Sequence, residues 1–478
     1  MTEPRRNEPC PCGSARRYKD CHGKLSASTP APEMQIQAAL AAHQSGRIDQ
    51  AERAYREILA RDPGHAAATH YLGLVEWQRG DVAQGEARMR ASIAADASIP
   101  DFHNNLGLLL RDTRRVEESI ACFRAALEAN PGWFEAFNNL GLALEAAWRW
   151  DEAAAAYAEA IARAPRFAAA RQNLARLLLR GGDFARGWPE YRWRLFAQGL
   201  AGAPPDPDAK PLPPSLDKRS FALLSEQGIG DVLFFLRFAP ELARRGARLA
   251  FRGDARLHSM LARTAVFALG IEPEIAPAAG LELIHVGDLP WLLGMRDAAD
   301  APSPLTLAAQ AERLVRINER LLPLGPRPWR ALTWRGGVES TGPSRSQLKE
   351  VDVDALGAAL RHQRATWISV QRHPRPGERE RLASALEAPV HDFSAANEDL
   401  EEMLALLSLV DGYSGVSNAN SHLRAALGKP MNVLVAHPPE WRWGVAGDRS
   451  PWFPAATVHR QGLDGNWSEA LATLQAGL

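Results

Sequence analysis

Apolar and small residues recur every 34 positions along the first part of the chain, from about residue 33 to residue 198. One point of the repeat is leucine followed by a small residue, at Leu72-Gly73, Leu106-Gly107, Leu140-Gly141 and Leu174-Ala175. A second point carries proline, at Pro63, Pro131 and Pro165. Small residues where helices touch, with a proline after each second helix, predict five helix pairs that bury their apolar faces by stacking.

This period resembles the tetratricopeptide (TPR) repeat, which implies a concave groove for a peptide or an extended partner. Asn105, Asn139 and Asn173 recur at the repeat period in the first helices. They resemble the groove asparagines with which TPR-containing O-linked N-acetylglucosamine transferases bind the backbone of a protein substrate. The alternative is that they are helix-surface residues with no binding role. Trp188, Tyr191 and Trp193 in the last repeat predict an apolar edge that packs on the next region.

After a proline-rich linker at residues 199–217, strands alternate with helices. Residues 218–325 form a first series, which opens with the apolar run 221–224. Residues 326–478 form a second series, with predicted strands at 330–333, 366–371, 412–416 and 431–435. Two such series predict two Rossmann-like halves that face each other across a cleft. The predicted fold is therefore multidomain, with a helical solenoid followed by an α/β region.

A loop with two glycines, residues 226–231, connects the first predicted strand to a helix. Gly228 and Gly230 would let the backbone approach an anionic ligand, and Asp231 lies at the helix start. The alternative is a plain strand–turn–helix in which Asp231 caps the helix. Polar residues also follow later strands, and ligands in such sheets bind at the carboxyl ends of the strands.

Five stretches carry a resemblance to the heptosyltransferase-like glycosyltransferases of GT-B fold, in the version fused behind TPR repeats. They are EQGIGD at 226–231, WRGG at 334–337, SVQ at 369–371, VSNANSHLRAALGKP at 416–430 and EWRWG at 440–444, and the last of them is accompanied by SPWFP at 450–454. The resemblance implies transfer of a hexose or heptose from a nucleotide sugar to an acceptor hydroxyl. It implies that Asp231 is the general base and that the TPR groove holds a protein or peptide acceptor.

The same resemblance implies that the donor is bound without a catalytic metal, since no Asp-x-Asp pair is required. The helix near Asn420 is expected to offer free amides and its dipole to the diphosphate. Either Glu378 or Glu380 would hold the ribose, and His422 either contacts substrate or packs on the sheet. The expected donor-binding residues are Gly228, Gly230, Arg335, Arg345, Glu378, Ser417, Asn418, Asn420, Ser421, His422 and Lys429.

Ser417 departs from the pattern, because many relatives have an acidic residue at this position, which faces the donor sugar. A second function therefore stays open. In it the chain is a non-catalytic TPR and zinc adaptor with a degenerate glycosyltransferase-like domain.

Three cysteines and a histidine lie close together at the N-terminus: Cys10, Cys12, Cys21 and His22. Three thiolates and one imidazole suit a tetrahedral structural zinc, which would supply the folding energy of so short a segment. The PCPCGS opening and the CHG close resemble the SEC-C motif, a zinc-binding docking module also found at the C-terminus of the SecA ATPase. The predicted module spans residues 1–25. The alternative is a set of unrelated cysteines in a tail.

Acidic and basic residues balance at 56 each, so no overall basic field favours nucleic acid or a membrane surface. No apolar run approaches the roughly 20 residues of a membrane span. The polar, proline-containing N-terminus lacks the apolar core of a signal peptide. These observations predict a cytoplasmic protein, and the resemblances above imply that it binds a nucleotide sugar and a protein or peptide partner.

Overall fold

The structure, a computed structural model, describes residue 17 and residues 32–226, 228–272, 280–336 and 349–477. The chain divides into two compact units, Met1–Ala136 and Phe137–Leu478. Helical repeats occupy the described part of the first unit. The second unit contains the remaining repeats and the α/β region.

The repeats follow the predicted 34-residue period. Small residues let the two helices of a pair approach closely. A Cβ added at Gly107 would lie 2.8 Å from the ring of Phe123, and one added at Gly141 would lie 2.5 Å from the ring of Tyr157. The helices are α1 (Pro32–Gln44), α2 (Ile48–Arg61), α3 (Ala66–Gln78), α4 (Val82–Ala95), α5 (Pro100–Asp112), α6 (Val116–Ala129), α7 (Phe134–Ala146), α8 (Trp150–Arg163), α9 (Ala168–Arg180), α10 (Phe184–Tyr191) and the short α11 (Arg194–Ala197).

The first half of the α/β region contains a parallel sheet in the order β3-β2-β1-β4. Its strands are β1 (Ser220–Leu224), β2 (Arg248–Arg252), β3 (Ile271–Glu272) and β4 (Glu282–His285). Its helices are α12 (Ile229–Phe235), α13 (Ala239–Arg244), α14 (His258–Ala262) and α15 (Leu289–Leu292). The apolar run of β1 is buried because it lies in the middle of this sheet.

The second half contains a six-stranded parallel sheet in the order β12-β11-β10-β5-β8-β9. The strands are β5 (Trp329–Thr333), β6 (Arg335–Gly336), β7 (Lys349–Glu350), β8 (Thr366–Ser369), β9 (Val390–Asp392), β10 (Gly412–Val416), β11 (Met431–Val435) and β12 (Ala456–Arg460). The helices are α16 (Ala311–Leu321), α17 (Val353–Leu360), α18 (Glu378–Leu386), α19 (Leu400–Leu409), α20 (Ala419–Ala426) and α21 (Ser468–Ala476). Strands β6 and β7 form a separate antiparallel pair.

The last repeat packs on the α/β region through the predicted apolar edge. The ring of Trp188 lies 5.4 Å from that of Trp441, and the ring of Tyr191 lies 5.9 Å from that of Phe235. Next to this contact, the fully buried Arg194 pairs with Glu226 at 2.7 Å and with Asp288 at 2.6 Å. An aromatic cluster and a buried ion pair therefore join the repeats of the second unit to its sheets.

The proline-rich linker is anchored at two backbone positions. The Leu212 N–H donates to the carbonyl of Leu292 at 2.7 Å, and the Leu216 N–H donates to that of Arg245 at 2.6 Å. The side chain of Leu216 is buried in the core of the α/β region. The linker thus lies against the first half of the α/β region.

Candidate functional site

The first turns of α12 and α20 meet between the two halves of the α/β region. A Cβ added at Gly230 would lie 2.8 Å from Cδ2 of His422 and 3.6 Å from Cα of Ala419. A larger side chain at position 230 would collide with His422. The chain therefore brings Asp231, on α12, up to the residues that follow β10.

Asp231 accepts a hydrogen bond from Nη2 of Arg442, although the two residues lie 211 positions apart. The Arg442 side chain is 7% exposed, whereas that of Asp231 is 32% exposed. The guanidinium lies over the rings of Trp441 at 4.4 Å and Phe234 at 4.7 Å. Burial, the largest single cause, lowers the pKa of Arg442, but the charges of Asp231, Tyr191 and Glu440 and the hydrogen bond to Asp231 together raise it overall. This cation is therefore held firmly charged beneath a partly exposed carboxylate.

Asn418 caps α20 and connects it to the neighbouring strands. Its Oδ1 accepts from the N–H groups of Asn420 at 3.0 Å and Ser421 at 3.3 Å. Its Nδ2 donates to Oγ1 of Thr333 at 3.1 Å, while the Tyr413 hydroxyl donates to its Oδ1 at 3.0 Å. The expectation that α20 offers these two amides to a ligand is therefore corrected, because the cap already uses them.

Ser417 donates through Oγ to the carboxylate of Glu440 at 3.0 Å, and Glu440 also pairs with Lys349. Burial raises the pKa of Glu440, but the charges of Lys349 and Arg442 outweigh it and bring the pKa to about 2. Ser417, the residue that departs from the pattern of the resemblance, thus contacts a carboxylate from another segment.

Sequence reasoning did not assign Glu440, Arg442 or Lys349 to the site. The first two lie in the EWRWG stretch, whose 3₁₀ turn Trp441–Trp443 packs on the last repeat through Trp441. That stretch supported the resemblance, but nothing in its local pattern indicated a partner for Asp231.

Arg335 and Glu378 form a buried pair at 2.6 Å beside the carboxyl end of β5. Glu378 also accepts from Nε1 of Trp334 at 3.1 Å and from the Arg375 N–H at 2.8 Å. Burial raises the pKa of Glu378, but the hydrogen bonds from Arg335, Arg375 and Trp334 lower it overall. Both members of the pair therefore have strong partners within the fold. The other ribose candidate, Glu380, pairs with Arg379 at 2.8 Å.

The remaining predicted donor residues are dispersed. Asn420 donates to the carbonyl of Val370 at 3.3 Å and to Oδ1 of Asn397 at 3.2 Å, both inside the fold. Lys429 donates to the carbonyl of Ser408, on α19, at 2.6 Å. Gly228 precedes α12 as its N-cap residue. The predicted residues Arg345, Cys10, Cys12, Cys21 and His22 lie outside the described part of the chain.

His422 is 7% exposed, and its ring lies 5.3 Å from that of Phe453. Burial is the main cause that lowers the pKa of His422 well below its ordinary value, and the charge of Arg442 lowers it further. Its imidazole is therefore neutral at pH 7. The ring packs against Gly230 where the two halves meet, in agreement with the structural alternative for this residue.

Asn105 and Asn173, two of the predicted groove asparagines, make hydrogen bonds between repeats. In the first unit, Nδ2 of Asn105 lies 3.0 Å from Nε2 of His70. In the second unit, the buried Asn173 donates to Oδ1 of Asn138 at 2.8 Å. Asn139 is half-buried on α7. For Asn105 and Asn173, these contacts join consecutive first helices, so a role in repeat packing accompanies any role in binding.

Comparison with known families finds two matches. The model of the SEC-C motif matches residues 6–24, and that of the tetratricopeptide repeat matches residues 36–98, 72–133 and 138–191. These matches confirm the predicted SEC-C motif and the TPR repeats. The SecA subunit of the protein translocase from Campylobacter hominis is 84% identical over 19 residues, which are 4% of this chain and 2% of SecA. That likeness concerns the short motif alone.

The chain is also similar to several solved structures, each with a TM-score below 0.5. MamA is 20% identical over 34% of this chain and 94% of its own, with a TM-score of 0.31. PilF from Pseudomonas aeruginosa is 20% identical over 45% of this chain and 88% of its own, with a TM-score of 0.35. YrrB, described as a TPR protein with an unusual peptide-binding site, is 17% identical over 37% of this chain and 92% of its own, with a TM-score of 0.31. No function is transferred from these structures.

The repeats favour binding of a protein or peptide. In the described part of the chain, no helix combines the length and the apolar composition that crossing a membrane requires.

Proposed function

We propose that the α/β region is a glycosyltransferase of GT-B type that moves a sugar from a nucleotide sugar to an acceptor hydroxyl without a catalytic metal. The observation that carries this proposal is the meeting of α12 and α20. It brings Asp231 to Arg442 and to the polar residues that follow β10. A carboxylate on one half and a buried cation on the other are the two groups that such a transfer requires.

In this reaction Asp231 accepts the proton of the acceptor hydroxyl as its oxygen attacks the anomeric carbon. The bond between that carbon and the diphosphate breaks, and its electron pair leaves with the nucleoside diphosphate. The positive charge of Arg442 and the dipole of α20 stabilise the departing anion. Ser417 and Glu440 lie beside this position and are suited to hold sugar hydroxyls.

The other modules fit a protein acceptor. The TPR groove would hold a protein or peptide, and the SEC-C motif would help to recruit it. Cys10, Cys12, Cys21 and His22 supply three thiolates and an imidazole, the donor set of a closed structural zinc site. That ion would stabilise the fold of the motif.

The test is a thermal-shift screen of the full chain against nucleoside diphosphates and nucleotide sugars. Ligand at a hundredfold excess over its dissociation constant stabilises the folded protein by about 2.7 kcal/mol. We expect a selective rise in Tm for one nucleotide, and a reduced rise in Ser417→Ala because Ser417 lies beside the proposed sugar position. A flat response for every compound would contradict the proposal.

The adaptor remains the second candidate function, favoured by the partners that the predicted ligand groups already have. The side chain of Asn418 already accepts from two backbone N–H groups of α20, and Glu378 already forms an ion pair with Arg335. In this reading the TPR groove and the SEC-C motif bind partners and the α/β region has no turnover. Release of nucleoside diphosphate from any nucleotide sugar, lost in Asp231→Asn, would exclude it.

A further inference from the structure

Arg442 has an unused donor beside the one that Asp231 occupies. Asp231 accepts from Nη2, whereas the buried Nε has no hydrogen-bond partner among the described residues. Nε and Nη2 lie on one edge of the guanidinium, the fork that binds carboxylates and phosphates through two parallel hydrogen bonds. A buried donor without a partner destabilises the protein. A ligand that accepts from both Nε and Nη2 would remove this cost, which would favour its binding.

The surroundings of Arg442 favour an anion once Asp231 has moved. The buried Arg237, which donates to the carbonyl of Trp452 at 2.8 Å, adds positive charge near Arg442. Lys349 pairs with Glu440, so the carboxylate of Glu440 neutralises the charge of Lys349. Asp231 is itself a third exposed, at the N-terminal turn of α12, where a carboxylate that leaves Arg442 remains stabilised by the helix dipole.

We propose that Arg442 binds the diphosphate of the nucleotide sugar. In the absence of this ligand Asp231 forms an ion pair with Arg442, and the nucleotide sugar displaces Asp231 when it binds. Donor binding would then release Asp231 from its ion pair, so that the carboxylate becomes available to take the acceptor proton. This inference rests on the proposed function and adds an order to it, in which the donor binds before the base is free. It assigns Arg442 as a ligand-binding residue.

Titration calorimetry of the full chain with pyrophosphate and with ADP, GDP, CDP, UDP and dTDP tests the competition. The variants are Arg442→Gln, Asp231→Asn and the double variant, with the exposed Arg449→Gln as a matched control from the same segment. Arg442→Gln removes the two parallel donors and should weaken diphosphate binding by about 10- to 100-fold. Asp231→Asn removes the carboxylate that competes for Arg442 and should tighten diphosphate binding by about 3- to 10-fold. Arg449→Gln should bind as the wild type does.

The double variant decides whether Asp231 acts through Arg442. We expect the gain from Asp231→Asn to vanish when Arg442 is changed. An equal gain in both backgrounds would mean a simple charge effect and would overturn the inference while leaving donor binding intact. Absence of binding by both the wild type and Asp231→Asn would overturn the inference and the proposed function together. If Arg442→Gln does not fold, Arg442→Lys keeps the charge without the fork and takes its place.

Discussion

The helical repeats contain polar contacts at separations that recur along the chain, whereas the α/β region also contains polar contacts between segments that lie far apart. Within the repeats, Tyr157 donates to Glu145 from 12 residues away, and Asn173 donates to Asn138 from 35 residues away. In the α/β region, Arg442 donates to Asp231 across 211 residues. Stacking of like units fixes the first kind of contact, and the packing of the two halves of the α/β region fixes the second.

The separation of two contacting residues along the chain distinguishes contacts that serve packing from contacts that assemble a site. A contact that recurs at the repeat period serves the stack, as His70 and Asn105 show. A contact made once, between distant segments, is the kind that assembles a site.

The largest effect is expected where the two regions join. Arg194→Ala removes the partner of Glu226, whose side chain is 1% exposed, and leaves a buried carboxylate uncompensated. The free energy of unfolding should fall by about 3–5 kcal/mol. Arg186→Ala on α10, whose ion pair is exposed, should cost less than about 1 kcal/mol. Chemical denaturation measures both, and equal losses would show that the junction is no stronger than a surface contact.

The next effect is acid sensitivity in the first unit. Burial is the main cause that lowers the pKa of His70 to about 3, so the unfolded chain binds the proton more tightly. Stability is therefore retained above pH 6.5 and falls as the pH drops towards 3. The loss should be about 2–3 kcal/mol at pH 4.5. Unfolding at pH 7 and pH 4.5 should show this loss in the wild type and in the exposed control His362→Gln, but not in His70→Gln. The same loss in His70→Gln would exclude this histidine as its source.

Two glycines test the comparison at close contacts. Gly141→Ala would press on the ring of Tyr157 within a repeat, and Gly230→Ala would press on His422 between the halves. Each should lower stability by about 1–3 kcal/mol, as overpacking does. Only Gly230→Ala should also weaken binding of nucleoside diphosphate, measured by calorimetry. Gly132→Ala, which has 3.5 Å to its nearest neighbour, is the control. Weaker binding of nucleoside diphosphate by Gly141→Ala would contradict the expectation that only the contact between the halves affects this binding.

The smallest effect concerns helix caps. Asp81 caps α4 through one hydrogen bond, to the Gln84 N–H at 3.1 Å, and Asp81→Ala should cost about 1 kcal/mol. Asn418→Ala should cost about 1 kcal/mol more, because Asn418 also bonds Thr333 and Tyr413. Thermal unfolding of the two variants gives the comparison. Equal costs would mean that the contacts of Asn418 beyond α20 contribute nothing to stability.

Much of the fold follows from local patterns. The strands predicted at 412–416 and 431–435 coincide with β10 and β11, and the 34-residue period places the helix pairs. Other elements were not predicted. Strand β9 is short and lies at a sheet edge, β12 mixes polar with apolar residues, and α16 carries five charged residues among its eleven.

The site was predicted only as far as single segments allow. Asp231 follows a strand and a glycine loop, so its place at a helix start is visible in the sequence. Its pairing with Arg442 is not visible in the sequence, because no local signal connects residues that meet only when the two halves of the α/β region pack together. The cap at Asn418 was within reach, since asparagine is among the favoured N-cap residues.

The most direct test of the glycosyltransferase assignment is the release of nucleoside diphosphate from each nucleotide sugar of the panel by the full chain. We compare the wild type, Asp231→Asn and the exposed control Glu398→Gln. The account predicts release by the wild type and the control for one donor, with a loss of about 10²- to 10⁴-fold in Asp231→Asn, the usual contribution of a general base. No release by the wild type, or equal release by Asp231→Asn, would contradict it.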